Sequence, residues 1–425
     1  MNIRRVYHMT LISGLFLFLI LISISHLTTN DTSRLIVVPI RLAAIVGVVF
    51  SLLILFALNK IKKKQLLAYS LYLSLVLYGT IMSILNGAFD LGQEQLPINI
   101  VVTLSGLTLM SMSFDRPLFE SITKSYFLYV IFGLFATIIV GGLDLNFPPH
   151  FVFDYITNPE ANDVREYSQG TSKFFGLGSV YAAYLLSKTK QKFYVLTLLF
   201  VVFTFLGLSL LGGARGESIA AIIVALGFLA FKCPLKIFIF LVLIGVFIFF
   251  SIEDWESQLN NLVIFQRLAT VGGGDLGHRD VLLTQVINLL YQEPRCLAIG
   301  CGFGYFQSYY GYEFGMYPHN IVAEYLIVFG LPISVAFGLL VAGGIKLHHK
   351  NNNNKIDLFV LLFLYSALID LKSGYVFGGW FFTASSMYFA SIYIFKQIGA
   401  LSTGQRNDSS NILAGVAKPK VLRGR

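Results

Sequence analysis

Apolar runs long enough to cross a lipid bilayer recur along this chain, and nothing else in the sequence restricts its fold as much. Crossing the hydrocarbon core takes roughly 20 mostly apolar residues. Such runs fall near 8–27, 35–58, 66–86, 97–114, 121–142, 172–187, 193–211, 217–231, 236–251, 319–345, 356–370 and 375–395. A backbone in lipid must satisfy its own hydrogen bonds, and a helix does so within one segment. The expectation is therefore all-α: a polytopic membrane protein of about 12 transmembrane helices. The shorter runs at 172–187, 217–231 and 236–251 leave that count open by about one.

Composition excludes the soluble alternatives. Only 12% of the residues are charged and 56% are apolar, with a mean hydropathy of +0.73. An average soluble domain is about 25% charged. Disorder, a disulfide-rich secreted scaffold and an ordinary cytosolic enzyme are all excluded. The formal charge of +9 would suggest nucleic acid only if it were gathered on one water-facing surface. It is a topology signal instead. With Met1 in the cytoplasm, 22 of the 31 basic residues fall on the inner side, as the positive-inside rule requires, and only 4 of the 22 acidic ones do. No nucleic-acid partner is implied, and both termini are expected in the cytoplasm.

The amino-terminal run lacks a small-x-small cleavage site after Leu27 and reads as the first membrane helix. Residues 1–400 are expected to form one transmembrane domain with two long external loops, 143–171 and 252–318. Loops of that length are usually functional or disordered. The second carries helical-looking apolar segments such as Val281 to Tyr291 and is expected to be a folded element on the outer face. Asn351 to Asn354 reads as a low-complexity cytoplasmic turn, and 401–425 as a disordered cytoplasmic tail.

Few polar residues lie near the outer surface, which makes them informative. Arg215, in Gly212-Gly213-Ala214-Arg215-Gly216-Glu217, stands where two apolar runs reverse and breaks the positive-inside bias. It can snorkel or pair with Glu217. It can equally offer a fork of donors to phosphate oxygens, which the flanking glycines allow to approach closely. Arg267, Arg279 and Arg295 are further external cations. Arg279 opens a helical pattern, where backbone N–H groups would reinforce an anion site; a salt bridge to Asp280 or Asp275 is the alternative. Pro318-His319-Asn320 opens the tenth run, with Tyr317 before it and Glu324 after it. A histidine there is either an interfacial polar residue or a base suited to a hydroxyl proton.

Other patterns carry no such chemistry. Gly300-Cys301-Gly302-Phe303-Gly304 lacks the βαβ context of a nucleotide site and reads as a turn that needs glycine. His348-His349 lacks further ligands for a metal. Cys296 and Cys301 could pair if the outside is oxidising, while Cys233 is expected to be cytoplasmic.

From Leu211 to Leu331 these blocks resemble the polytopic O-antigen polymerase and O-antigen ligase superfamily of bacterial envelope glycosyltransferases. Gly213-Ala214-Arg215-Gly216 is similar to that family's Ser-Arg-Gly turn, and Gly277-His278-Arg279 to its loop Gly-Arg pattern. The Gly300-x-Gly-x-Gly turn, Tyr317-Pro318-His319-Asn320, Glu324 and Gly330-Leu331 then follow in order. The chain departs from the pattern at Ala214, where Ser is frequent, and at Thr284-Gln285, where many members carry Trp. The resemblance covers about a third of the chain.

The resemblance implies an inner-membrane enzyme whose donor glycan hangs on undecaprenyl pyrophosphate, acting at the periplasmic face without metal or nucleotide cofactor. It implies His319, Arg215 and Arg279 as catalytic. Arg267, Arg295, Glu217, Tyr317, Asn320 and Glu324 are then candidates for substrate binding. Lipid-linked glycan would be both donor and acceptor, membrane lipid the surroundings, and a chain-length regulator a possible partner. Inversion at the anomeric carbon is expected from one in-line displacement. The compact Tyr-Pro-His-Asn block and the glycine turn look more like a polymerase than a ligase, which would transfer the glycan to lipid A–core. A transporter or flippase of lipid-linked sugars is the alternative from another class. Transporters tend to place charged sites near the midplane in related repeats, whereas here they gather on one outer face and no repeat is visible.

Overall fold

The computed structural model describes residues 3–24, 31–58, 63–88, 96–112, 125–126, 128–133, 143–144, 150–151, 155–158, 163–165, 169–232, 234, 279–312, 316–353, 356–374, 376 and 379–414. Helices dominate: α1 (Ile3–Ile24), α2 (Asp31–Ala57), α3 (Lys63–Leu85), α4 (Leu96–Met112), α5 (Gln169–Lys188), α6 (Lys192–Leu211) and α7 (Arg215–Lys232). The stretch 252–318 contributes α8 (Arg279–Gln292), α9 (Pro294–Ile299) and α10 (Tyr305–Tyr310). Then come α11 (Ile321–Asn351), α12 (Leu358–Ser373) and α13 (Trp380–Ala414). Two short antiparallel pairs lie in the stretch 143–171: β1 (Leu143–Asp144) with β2 (His150–Phe151), and β3 (Tyr155–Asn158) with β4 (Asp163–Arg165).

Among the described residues, three helical stretches are long and apolar enough to cross a membrane: Gln65–Leu85, Lys192–Leu211 and Ile321–Asn351. The run expected at 236–251 lies outside the described residues, as does most of 121–142. Exposed apolar stripes run along several helices. Leu42, Val46, Phe50 and Leu53 form one on α2, opposite buried Ala44, Val48 and Leu55. Phe193, Leu196 and Phe200 form another on α6. Contiguous apolar faces of this size do not stay in water on a soluble monomer.

The last helix differs from the expectation for the tail. α13 continues through Ala414, so residues 401–414 are helical where their polar composition suggests disorder. Extending an existing helix is far easier than nucleating one, and the apolar first part of α13 supplies the nucleus. Residues 415–425 lie outside the described residues.

α5 is the packing centre, buried from Gly170 to Leu186. Its small residues let neighbours approach closely. The Phe205 ring of α6 lies on Gly178, and the Tyr365 hydroxyl of α12 lies against Gly176. α7 packs on both α5 and α12, and α13 packs on α3, α4 and α11.

α11 does not run as one straight span. At one end His348 Nε2 meets Asp357 Oδ2 at 2.6 Å, and at the other Asn320 Nδ2 donates to the Leu371 carbonyl at 2.9 Å. Between those anchors α12 rises about 21 Å, whereas a straight α11 would rise about 42 Å. The difference is taken up at Gly330, which is non-helical (φ 75, ψ 166). The arm 321–329 therefore turns aside from the bundle axis. Ile321, Tyr325, Val328 and Phe329 pack into the main core. Ala323 and Ile327, on another side of the same arm, join a second core with Leu282, Val286, Leu289, Tyr305 and Phe306 of the external helices.

The break leaves carbonyls without helical donors, and the glycine turn supplies them. Pro332 has no N–H for the Val328 carbonyl; Gly302 donates there at 3.2 Å, and Cys301 donates to the Ile327 carbonyl at 2.7 Å. Gly302 (φ +88) lies so close to the Ser83 backbone of α3 that a Cβ would collide with it. On the other side, Ser83 Oγ donates to the Phe303 carbonyl at 3.0 Å and Asn86 Nδ2 to the Cys301 carbonyl at 3.1 Å. A Cys296–Cys301 disulfide closes the turn. The Gly-x-Gly-x-Gly segment is thus an architectural joint between α3 and the break in α11.

Candidate functional site at the outer end of α12

Arg215 is the first residue of α7 and is half-buried. The turn before it is shaped by small residues. Gly213 takes φ 73, a backbone region that glycine enters readily. A Cβ on Gly212 would collide with Ser172 of α5. Ser172 Oγ accepts from the Ala214 N–H at 3.2 Å, Ser209 Oγ donates to the Ser172 carbonyl at 2.8 Å, and Ser218 Oγ donates to the Ser209 carbonyl at 2.7 Å. This knot fixes the start of α7 against the start of α5.

Glu217 is buried, with its side chain only 2% exposed, and pairs with Lys372 Nζ at 2.8 Å. The shaft of Lys372 crosses Gly216, where no Cβ would fit. An anion in the first turn of α7 faces a cation in the last turn of α12, so each charge complements its own helix dipole. The sequence allows an Arg215–Glu217 pair; in the structure Glu217 pairs with Lys372. Two residues back on α12, Asp370 is 3% exposed, and its Oδ2 has no hydrogen-bond partner among the described residues. Lys173 of α5 and Glu217 both lie close enough to act on its charge. Lys372 thus meets Glu217, and Lys173 lies near Asp370, where the starts of α5 and α7 meet the end of α12.

The Tyr-Pro-His-Asn block is tied to the same helix end. Tyr317 Oη donates to the Ser373 carbonyl at 3.1 Å, and Asn320 Nδ2 to that of Leu371. Asn320 also caps α11, its Oδ1 accepting from the N–H groups of Val322 and Ala323 at 2.9 and 3.1 Å. Between these anchors His319 sits at φ 54, a left-handed conformation rarely taken by a non-glycine residue. Such strain persists only where the surroundings over-determine it; here residues on both sides are fastened to α12. The Tyr317 and His319 rings stand 4.0 Å apart. Glu324, buried beneath the arm, takes the Val376 backbone N–H.

The site residues expected from sequence therefore separate. Arg215, Glu217, Tyr317, His319 and Asn320 gather around the outer end of α12, with Glu324 beneath. Tyr317, Asn320 and Glu324 each bond to backbone, Tyr317 and Asn320 at the end of α12 and Glu324 at Val376. Arg279 begins α8, and Asp275, one of its two expected partners, lies outside the described residues. It belongs to the external layer that packs on the α11 arm. Arg295 is satisfied locally: it pairs with Glu293 at 3.0 Å and donates to Tyr305 Oη at 3.1 Å. Arg267 lies outside the described residues. Lys173, Asp370 and Lys372 were missed, although the criterion that selects Arg215, an external charge at the end of a span, selects all three. Among the described residues, no three His, Cys, Asp or Glu side chains gather as a metal would require.

No protein-family model matches the chain, and no curated protein matches it at a significant level.

Proposed function

We propose that the chain is a membrane glycosyltransferase of surface-polysaccharide assembly. It would act as a polymerase that transfers a growing glycan from undecaprenyl pyrophosphate to the non-reducing end of a lipid-linked repeat unit. The observation that carries this reading is the gathering of Arg215, Lys372 and the strained His319 around the end of α12. In this reading about 12 helices span the inner membrane, both termini are cytoplasmic, and the site faces the periplasm. A Cys296–Cys301 disulfide supports that side, because disulfides persist in oxidising compartments.

The chemistry is one displacement. The acceptor hydroxyl oxygen attacks the anomeric carbon of the donor, its proton passing to the His319 imidazole. The bond from that carbon to the pyrophosphate oxygen breaks, and the electron pair leaves with undecaprenyl pyrophosphate. Attack from the opposite face inverts the anomeric centre. Arg215 would meet the lipid headgroup, where a fixed guanidinium stabilises charge that grows on the leaving phosphate. Arg279, at the start of α8, meets the same headgroup from the external layer. Asn320 and Tyr317 hold His319 in place.

The deciding experiment is deletion of the gene followed by electrophoresis of the surface glycan. A polymerase deletion leaves lipid A–core capped with a single repeat unit. A bare core would identify a ligase, and an unchanged ladder would remove the enzyme from this pathway. Complementation with His319→Ala should fail to restore the ladder at normal expression.

A further inference from the structure

α8 has three faces rather than two. Leu282, Val286 and Leu289 are buried in the core shared with α10 and the α11 arm. Beside them Leu283, Ile287 and Tyr291 repeat every four residues and are exposed, Ile287 by 61% and Tyr291 by 86%. Thr284, Asn288 and Gln292 repeat in the same way one residue further on and are exposed too. A helix with only water outside it carries polar residues over its whole outer side. Charge is confined to the ends, Arg279 and Asp280 before this stretch and Glu293 and Arg295 after it.

The depth of the neighbouring α9 bears on what covers the apolar face. The Tyr78 hydroxyl of α3 donates to the Ile299 carbonyl, the Phe303 ring lies on Gly79, and Gly302 lies against the Ser83 backbone. α3 carries one of the stretches long and apolar enough to cross a membrane. Tyr78 stands seven positions before its last residue, Leu85, which is about 10 Å along the axis. Residues 299–303 therefore run beside the last two turns of that helix and not above them. Ile299 is exposed there, and α3 exposes Leu77, Ile81 and Ile84 over the same length.

We propose that α8 lies in the membrane interface. Acyl chains of the leaflet at the Leu85 end of α3 cover its Leu283–Ile287–Tyr291 face, and water meets its Thr284–Asn288–Gln292 face. The inference goes beyond the transfer reading, because it holds whatever reaction the protein performs. Lipid is the occupant because the face continues, through Ile299, the exposed apolar side of a helix fit to span the bilayer. Interfacial helices sink such a face about 5–10 Å into the boundary between headgroups and acyl chains. Tyr291 suits the border of the two faces, since its ring is apolar and its hydroxyl polar. Asp280 shares the apolar side one turn before Leu283, so that end stays at the surface and the helix dips toward α9.

The test uses the full chain in nanodiscs of phosphatidylethanolamine and phosphatidylglycerol. Cys233→Ser removes the cysteine outside the Cys296–Cys301 disulfide. Single cysteines then carry a nitroxide at Leu283, Ile287, Asn288, Ile299 and, on α3, Leu77. Collisions with oxygen and with a water-soluble nickel chelate separate three surroundings: lipid favours oxygen, water favours nickel, and a protein contact lowers both. Labels at Ile287 and Ile299 should favour oxygen as the label at Leu77 does, and the label at Asn288 should favour nickel. Depth should increase from Leu283 through Ile287 to Ile299, with Ile287 about 5–10 Å below the phosphates. A nickel preference at Ile287, or equal readings at Ile287 and Asn288, overturns the proposal. Low collision with both reagents at Ile287 would mean that another segment or a second copy covers the face, and overturns it equally. A Leu77 label outside lipid removes the premise and the proposal with it. All five positions are exposed, so the substitutions should leave folding intact; if Ile287→Cys fails to elute as one species, Leu283→Cys reads the same face.

Discussion

The two ends of the α11 arm are built in opposite ways. At its start, side chains do the joining: Asn320 and Tyr317 reach the end of α12, and Lys372 reaches Glu217. At Gly330 the backbone does it, with glycines admitting the 300–304 turn so closely that main-chain groups meet directly. Charge can be held and used at the first junction, while the second offers only amide geometry and positive φ. A motif rich in glycine is therefore the frame here, and the proposed base, His319, stands eleven positions before Gly330.

That contrast can be broken most directly at His319. His319→Ala should lower transfer by purified protein roughly 100- to 10 000-fold, the usual size of a lost general base, with little change in melting temperature. A variant that still elongates glycan at the wild-type rate would place the chemistry elsewhere. Lys372→Ala should cost about 3–5 kcal/mol of stability, because it leaves Glu217 buried and unpaired. The double variant Glu217→Gln/Lys372→Met should recover most of that loss in a thermal melt. If it also regained transfer, Lys372 would be structural only.

The glycine junction should respond in stability rather than in chemistry. Gly302→Ala forces an L side chain to φ +88 against the Ser83 backbone. The expected cost is about 1–3 kcal/mol from backbone strain alone. Activity per folded molecule should change less than the melting temperature implies; a selective loss of transfer would make this turn part of the site. Asn320→Ala is the mildest change. It removes a helix cap worth about 1 kcal/mol but also frees His319, so transfer should fall more than stability does. Equal losses in both would reduce Asn320 to a cap.

Local pattern made much of this legible. The apolar runs anticipated where helices lie, and the external arginine beside two glycines marked the start of α7. Asn320 before an apolar run carries a cap signature, yet beside a histidine it read as a substrate contact. The charges missed on α12 were hidden by their setting, since Asp370 and Lys372 end an apolar span and resemble an ordinary polar boundary. Arg295 looked equivalent to Arg215 in sequence because nothing local revealed Tyr305 ten residues ahead as its partner.

The sequence by itself determined the all-helical, strongly apolar class of molecule and a short list of polar groups able to act, since those follow from hydropathy and residue chemistry. Tertiary structure alone decided which of those groups meet. Lys372 and Glu217 are 155 positions apart, and the Asn320–Leu371 tether spans 51. The bend at Gly330 that brings His319 to the end of α12 depends on carbonyls being satisfied by a turn from another part of the chain. Sequence periodicity reports the face of a helix, whereas contacts of this range are fixed only when the helices pack.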